Sequence, residues 1–167
     1  MKNRRFWTRF FLVASILTAL LIFCFSAQQG PDSAALSDDV TLQVAKVVRP
    51  DYPKLPPVAR RSFLRQLSAI VRKCAHFSEY ALLGFNLMAY LRLLRWEKPR
   101  AASLALAWGI ATLYAGTDEL HQMFVSERGP ALLDVCIDSA GALTGALVAL
   151  LGMLLLARCR KAKPAFD

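Results

Sequence analysis

The stretch RKCAHFSEYALLGFNLMAYLRLL, residues 72–94, joins a group of charged side chains to an apolar run of membrane length. From Cys74 onward the run has roughly the 20 residues that a helix needs to cross a bilayer. His76 and Glu79 lie in its first turns. Ionisable groups are costly inside a bilayer, so they usually face a protein interior or a wet cavity and carry function there. Function is therefore sought where such groups converge.

Three further apolar runs flank this stretch, and together they predict an all-α polytopic membrane protein with four transmembrane helices. The predicted spans are about 7–26, 74–94, 101–117 and 131–157. Composition agrees, because 56% of the residues are hydrophobic, against roughly 45–50% in soluble domains. The length predicts a single domain, residues 1–167. We expect the first run to be retained as a helix, since Phe25 stands where signal cleavage requires a small residue.

Basic residues flank the apolar runs and predict the orientation of the chain. The formal net charge is +9, which first suggests nucleic acid binding. However, the clusters at 2–9, 92–100 and 158–163 follow the positive-inside pattern. We therefore predict a bacterial plasma-membrane protein with both termini cytoplasmic and no nucleic-acid partner. Residues 60–73 on the outer side are also basic, but the opposite orientation would place all three clusters outside.

The segment between the first two runs is polar and broken by prolines. A short helix is predicted after Ser37, since Asp38 and Asp39 suit a helix N-terminus. From Arg60 to Lys73, apolar residues alternate with arginines. This pattern predicts an amphipathic helix that lies on the outer membrane surface and leads into the second span.

Polar residues lie at the outer end of three predicted spans, and helical spacing places them on shared faces. We expect these faces to meet in one outward-facing polar basin. The ligand-binding candidates are Arg72, His76, Glu79, Asp118, Glu119, His121, Gln122, Arg128, Asp134 and Asp138.

Each of these residues also has a purely structural interpretation. His76 and Glu79 could form a hydrogen-bonded pair that locks helix packing. Asp134 alone is more typical of an acid stabilised by a helix N-terminus. Arg128 could be an ordinary interfacial arginine or the counter-ion of the acids. Gly141 and Gly145 form a small-xxx-small motif, whose expected role is close helix approach.

Metal and covalent chemistry have weak sequence signals. Two histidines and several carboxylates could bind a divalent cation, but no HExxH or HxH spacing occurs. No CxxC pair occurs either, and Cys24, Cys74 and Cys136 are expected to be reduced, buried thiols. No hydrolase motif surrounds the serines. No cofactor and no catalytic residue is assigned, and the divalent cation stays open.

In order and spacing, several motifs resemble the VanZ-like family of small bacterial integral membrane proteins, named for an accessory teicoplanin-resistance protein. The matching segments are FSAQ at 25–28, RKCAHFSEY at 72–80, DELHQMF at 118–124, Arg128, and DVCID at 134–138 with Gly141 and Gly145. The chain departs from the pattern at Ala27, where a second serine is common, and at Glu127, where glycine is common.

The resemblance implies a four-helix membrane fold and a role at the cell envelope, in some members lowering glycopeptide susceptibility. It supplies no reaction. Our first hypothesis is a non-enzymatic envelope protein whose basin binds the headgroup of a lipid-linked or polymeric envelope molecule. The alternatives are a metal-assisted enzyme acting on an envelope lipid and a small proton-coupled transporter. The expected partners are membrane lipids and a lipid-linked cell-wall polymer or glycopeptide, with the oligomeric state left open.

Overall fold

The computed structural model describes residues 2–27, 30–94, 99–122 and 132–162, and this part of the chain is all-α, as predicted. The helices are α1 Lys2–Ser26, α2 Gly30–Val48, α3 Pro57–Leu93, α4 Arg100–Gln122 and α5 Leu132–Ala162, with a short 3-10 helix at Tyr52–Lys54. Helices α1, α4 and α5 each contain one apolar run, and α2 lies in the segment between the first two runs. Helix α3 contains the end of that segment together with the second run.

Helix α3 is continuous where the sequence predicts two segments. Its 37 residues span about 55 Å, whereas a hydrocarbon core is about 30 Å thick. Sharp bends usually need proline, glycine or a disrupted hydrogen-bond ladder, and neither residue occurs between Pro57 and Gly84. The surface helix and the second span predicted from the sequence are therefore parts of one continuous helix. Helix α2 also begins at Gly30, earlier than the predicted start after Ser37.

Two of the four predicted spans are long and apolar enough to cross a membrane within the described residues. They are Asn3–Ser26 in α1 and Leu132–Cys159 in α5. Large apolar side chains are exposed on both, including Leu17 and Leu156, as expected of surfaces that meet an apolar environment. Helices α3 and α4 carry buried polar residues, such as Asn86 and Glu119, which lower their hydropathy.

The helices α1, α3, α4 and α5 alternate in direction. Thr8 and Thr18 of α1 lie beside Leu93 and Asn86 of α3, so these two helices are antiparallel. The Tyr114 hydroxyl of α4 donates to the carbonyl oxygen of Ala19 at 2.7 Å. Further along both helices, Gln122 donates to Ser26. Helices α1 and α4 therefore run in the same direction.

Helices α3 and α5 run in parallel and pack backbone against backbone. A Cβ atom added at Gly84 would overlap the carbonyl of Ala142, and one at Gly145 would overlap that of Ala81. At Gly141 it would meet the carbonyl oxygen of Phe77. The predicted packing role of the Gly141–Gly145 motif is confirmed, and it extends to Gly84.

The thiols lie on outward faces of the helices. Cys24, Cys74, Cys136 and Cys159 are free and exposed. The prediction that Cys24, Cys74 and Cys136 are buried is therefore wrong. An apolar neighbourhood in the sequence does not distinguish the interior of a bundle from its lipid-facing surface, because both are apolar.

Replacing Gly145 by alanine should destabilise the protein by about 1–3 kcal/mol, the usual cost of overpacking. The control is Gly152→Ala in the same helix, where a Cβ atom meets no atom within 4 Å. There alanine should gain up to about 1 kcal/mol of helix propensity. Thermal unfolding in detergent should separate the two variants. Equal midpoints would contradict the close approach of α3 and α5.

Candidate functional site

Charged side chains of α3 and α5 meet at the end of the bundle where both helices begin, which we call the polar end. Lys73 forms a salt bridge with Asp134. One turn further along both helices, His76 Nδ1 lies 3.9 Å from Asp138 Oδ1. Asp138 is 1% exposed although it is an acid. Because glycines bring the two backbones together just beyond this level, the imidazole and the carboxylate are held face to face.

Helix α4 delivers its last polar residues to the same end. Asp118, Glu119 and Gln122 are all buried. The Gln122 amide donates to Ser26 Oγ at 2.8 Å and lies 3.3 Å from Asp118 Oδ2. It thus ties the end of α4 to the end of α1. His121 packs against Phe23, with ring centroids 4.8 Å apart.

These elements bring acids from three helices into one group. Asp118 is close enough to Glu79, His76 and Asp138 for their charges to interact. Glu119 is also within electrostatic range of Asp138. We call His76, Glu79, Tyr80, Asp118, Glu119 and Asp138 the polar cluster.

Several buried atoms of the polar end have unused hydrogen-bonding capacity. Tyr80 Oη, Asp118 Oδ1, Asp138 Oδ1 and His121 Nε2 are inaccessible and have no hydrogen-bond partner among the residues that the structure describes. Each such group costs about 1–3 kcal/mol when left unsatisfied, and native proteins leave few of them. A bound ligand with both hydrogen-bond donors and acceptors would remove this cost.

The predicted site residues do not all meet at one place. His76, Glu79, Asp118, Glu119 and Asp138 converge as expected. Gln122 and His121 border the group on the side of α1, and Asp134 is half-exposed in its pair with Lys73. Arg72 instead lines a cleft between α2 and α3. Arg128 lies outside the described residues.

Two participants were missed by the sequence analysis as candidates. Tyr80 is fully buried in the cluster and follows His76 by four residues, so helical spacing could have identified it. Ser26 is 1% exposed at the end of α1. It belongs to the FSAQ segment, but its partner Gln122 is 96 residues away, and no local pattern indicates such a contact.

No group of three or more His, Cys, Asp or Glu side chains among the described residues is arranged to hold a metal ion. The carboxyl groups of the polar cluster come from three different helices. The divalent cation stays a hypothesis without an assigned site.

Comparison with known families gives a match to the VanZ/LLP1 family over residues 11–156. The chain belongs to the VanZ/LLP1 family. The match covers most of the chain and includes every residue of the polar cluster, so the motif resemblance is confirmed. Neither the curated proteins nor the solved structures include a match. Family membership and two apolar helices together indicate a membrane protein.

Two tyrosines allow a test of whether the buried polar atoms of the cluster lack hydrogen bonds in the folded protein. Tyr114→Phe removes the 2.7 Å hydrogen bond to Ala19 and should cost about 1 kcal/mol. Tyr80→Phe removes a buried hydroxyl without a described partner, so it should be neutral or stabilising. Unfolding midpoints in detergent, measured side by side, test this difference. Equal destabilisation would mean that the Tyr80 hydroxyl is already satisfied in the folded protein.

Proposed function

We propose that this VanZ/LLP1-family protein crosses the bacterial plasma membrane four times, with both termini cytoplasmic and the polar end facing outward. The alternating helix directions support this topology. So does the chemistry of the opposite end, where Arg4 donates to the carbonyl oxygen of Leu93 at 3.0 Å and Arg92 lies beside Ser103. Basic residues at that end agree with the positive-inside rule.

Burial explains how α3 and α4 could cross the bilayer despite their polar residues. Asn86 is 6% exposed and Ser103 is 1% exposed, so neither would meet lipid. On the opposite face of α4, Leu113 is 74% exposed and Ile110 is 41% exposed. Small and polar residues inside a bundle with apolar residues outside are typical of membrane helices.

The topology is tested with single cysteines in a background where Cys24, Cys74, Cys136 and Cys159 are serine. An impermeant thiol reagent should label Asp51→Cys, in the exposed turn after α2, in intact cells. Arg100→Cys, at the exposed start of α4, should react only after the membrane is opened. The reverse pattern would place the polar end in the cytoplasm.

The same proposal assigns a function to the polar cluster: it binds the headgroup of a lipid-linked or polymeric envelope molecule. The observation that carries this assignment is the set of buried atoms on Tyr80, Asp118 and Asp138 that have no hydrogen-bond partner within the described part of the chain. Carboxylate oxygens accept hydrogen bonds and a tyrosine hydroxyl can donate one. Hydroxyl and amide groups, the polar groups of sugars and peptides, can both donate and accept and so match this set.

The acids of the cluster make it a poor place for phosphate. Glu79, Asp118 and Asp138 supply carboxyl groups, which carry no positive charge to attract an anion, and nearby Lys73 is already paired with Asp134. The headgroup bound here should therefore offer neutral hydroxyl or amide groups, with any phosphate held by basic residues elsewhere.

Glycopeptide susceptibility is the expected consequence of such binding. The family resemblance implies this phenotype for some members, and a drug with a lipid tail concentrates at the membrane surface. We propose that the protein alters the access of such drugs to envelope precursors. No catalytic step is required for this effect.

Expression of the protein in a susceptible Gram-positive host should raise tolerance to teicoplanin more than to vancomycin. Asp138→Asn keeps the size of the side chain but changes the buried acceptor, so it should abolish the effect. Asp51→Asn, in the exposed turn, is the matched control and should act like the wild type. The readout is the minimal inhibitory concentration at equal membrane levels of protein. If tolerance survives Asp138→Asn, the polar cluster is not the site responsible for it.

Mass spectrometry of the gently purified protein tests the binding directly. The wild type should retain an envelope lipid with a glycan or peptide headgroup, and Asp138→Asn should retain less of it. Retention of stoichiometric metal together with lipid turnover would instead favour the metal-assisted enzyme.

A further inference from the structure

A second site candidate lies between α2 and the first half of α3, away from the polar cluster. The two helices enclose a cleft of about 450 Å³, a volume typical of small-molecule sites. None of the cluster residues lines it. Its walls include three arginines of α3, and a threonine and a leucine of α2.

The arginines form a stripe along the cleft. Arg61, Arg65 and Arg72 are separated by four and seven residues and so share one face of α3. They extend over about 16 Å of the helix axis. The ion pairs formed between described residues include none of the three. Asp38 is an acid in the same cleft, and three guanidinium groups against one carboxylate leave an excess of positive charge.

Thr41 adds an independent observation on the opposite wall. It is 2% exposed, lines the cleft, and its hydroxyl has no hydrogen-bond partner among the described residues. Buried hydroxyls are nearly always satisfied in folded proteins. A hydroxyl in the same cleft as guanidinium groups can donate to an anion that the guanidinium groups also bind.

The chemistry of the walls identifies the class of ligand. Guanidinium groups match phosphate oxygens in bidentate geometry. Leu42 and Leu64 give the cleft an apolar part, which suits the glycerol and upper acyl carbons of a lipid. The stripe ends at Arg72, two residues before the segment that we propose as the second span. The Arg72 end of the cleft would therefore lie at the membrane surface, and the rest of the stripe would extend outward from it.

We propose that the cleft between α2 and α3 binds the phosphate headgroup of an anionic membrane lipid. Arg65 and Thr41 contact the phosphate, and Leu42 and Leu64 contact the adjoining carbons. This site is distinct from the polar cluster, whose acids disfavour phosphate, and it stands even if the cluster binds nothing. The cleft presents basic side chains and the polar cluster presents acidic ones, so the two sites suit different chemical groups.

In the experiment, the full-length protein in neutral detergent is titrated with dioctanoyl phosphatidic acid, and calorimetry measures the affinity. Arg65→Gln should weaken binding about tenfold, because a charged hydrogen bond to phosphate is lost. Thr41→Val keeps the shape of the side chain. It should weaken binding about threefold and raise the unfolding temperature without lipid, since it removes an unsatisfied hydroxyl.

Arg60→Gln is the matched control, because Arg60 is exposed on the same helix and does not line the cleft. It should leave the affinity within about twofold, as rim charges contribute little. Asp138→Asn should also leave it unchanged, which separates this site from the polar cluster. Titration with dioctanoyl phosphatidylcholine tests whether binding requires a net negative headgroup. Competition with millimolar inorganic phosphate tests whether binding requires the lipid part of the ligand.

Four results would overturn the proposal. They are no binding of phosphatidic acid, equal affinity for the choline lipid, an equal loss with Arg60→Gln and Arg65→Gln, and full displacement by inorganic phosphate. The last result would assign the cleft to the free anion.

Discussion

The backbone contact between α3 and α5 sets the position of every other element at the polar end. Three glycines allow it, and a single Cβ atom at Gly141 or Gly145 would push the helices apart. Within a bilayer no hydrophobic driving force brings helices together, so they associate through close packing of this kind. Here the contact also determines which side chains meet, because it places His76 level with Asp138 and Lys73 level with Asp134.

The remaining helices join this pair through small residues. Ala107, Ala111 and Ala115 are fully buried at four-residue intervals along α4, so one face of α4 presents almost no side chain. Helix α1 buries Ser15 and Thr18, whose hydroxyls donate to carbonyl oxygens of their own helix. Thr18 also accepts a hydrogen bond from Asn86. The packing thus leaves room at its polar end for larger side chains, such as Tyr80.

Much of this arrangement could be predicted from the sequence, because it depends on periodicity. The apolar runs predicted the helices, and the positions of His76, Asp118 and Asp138 near run ends predicted their convergence. The four-span topology and the headgroup ligand stay predictions. The continuity of α3 was missed, since a change from polar to apolar residues resembles a boundary although the backbone continues. Arg72 faces the cleft because α2 packs there, and local spacing does not reveal which neighbour a helix face meets.

The continuity of α3 has a further consequence for how the chain can vary. One helix carries both the arginine stripe of the cleft and the residues His76 and Tyr80 of the cluster. Each residue of an α-helix turns the chain by about 100°. A single insertion or deletion between Arg72 and His76 would therefore swing one set of side chains away from its neighbours while leaving the other in place. The two sites therefore depend on the number of residues between them as well as on the residues themselves.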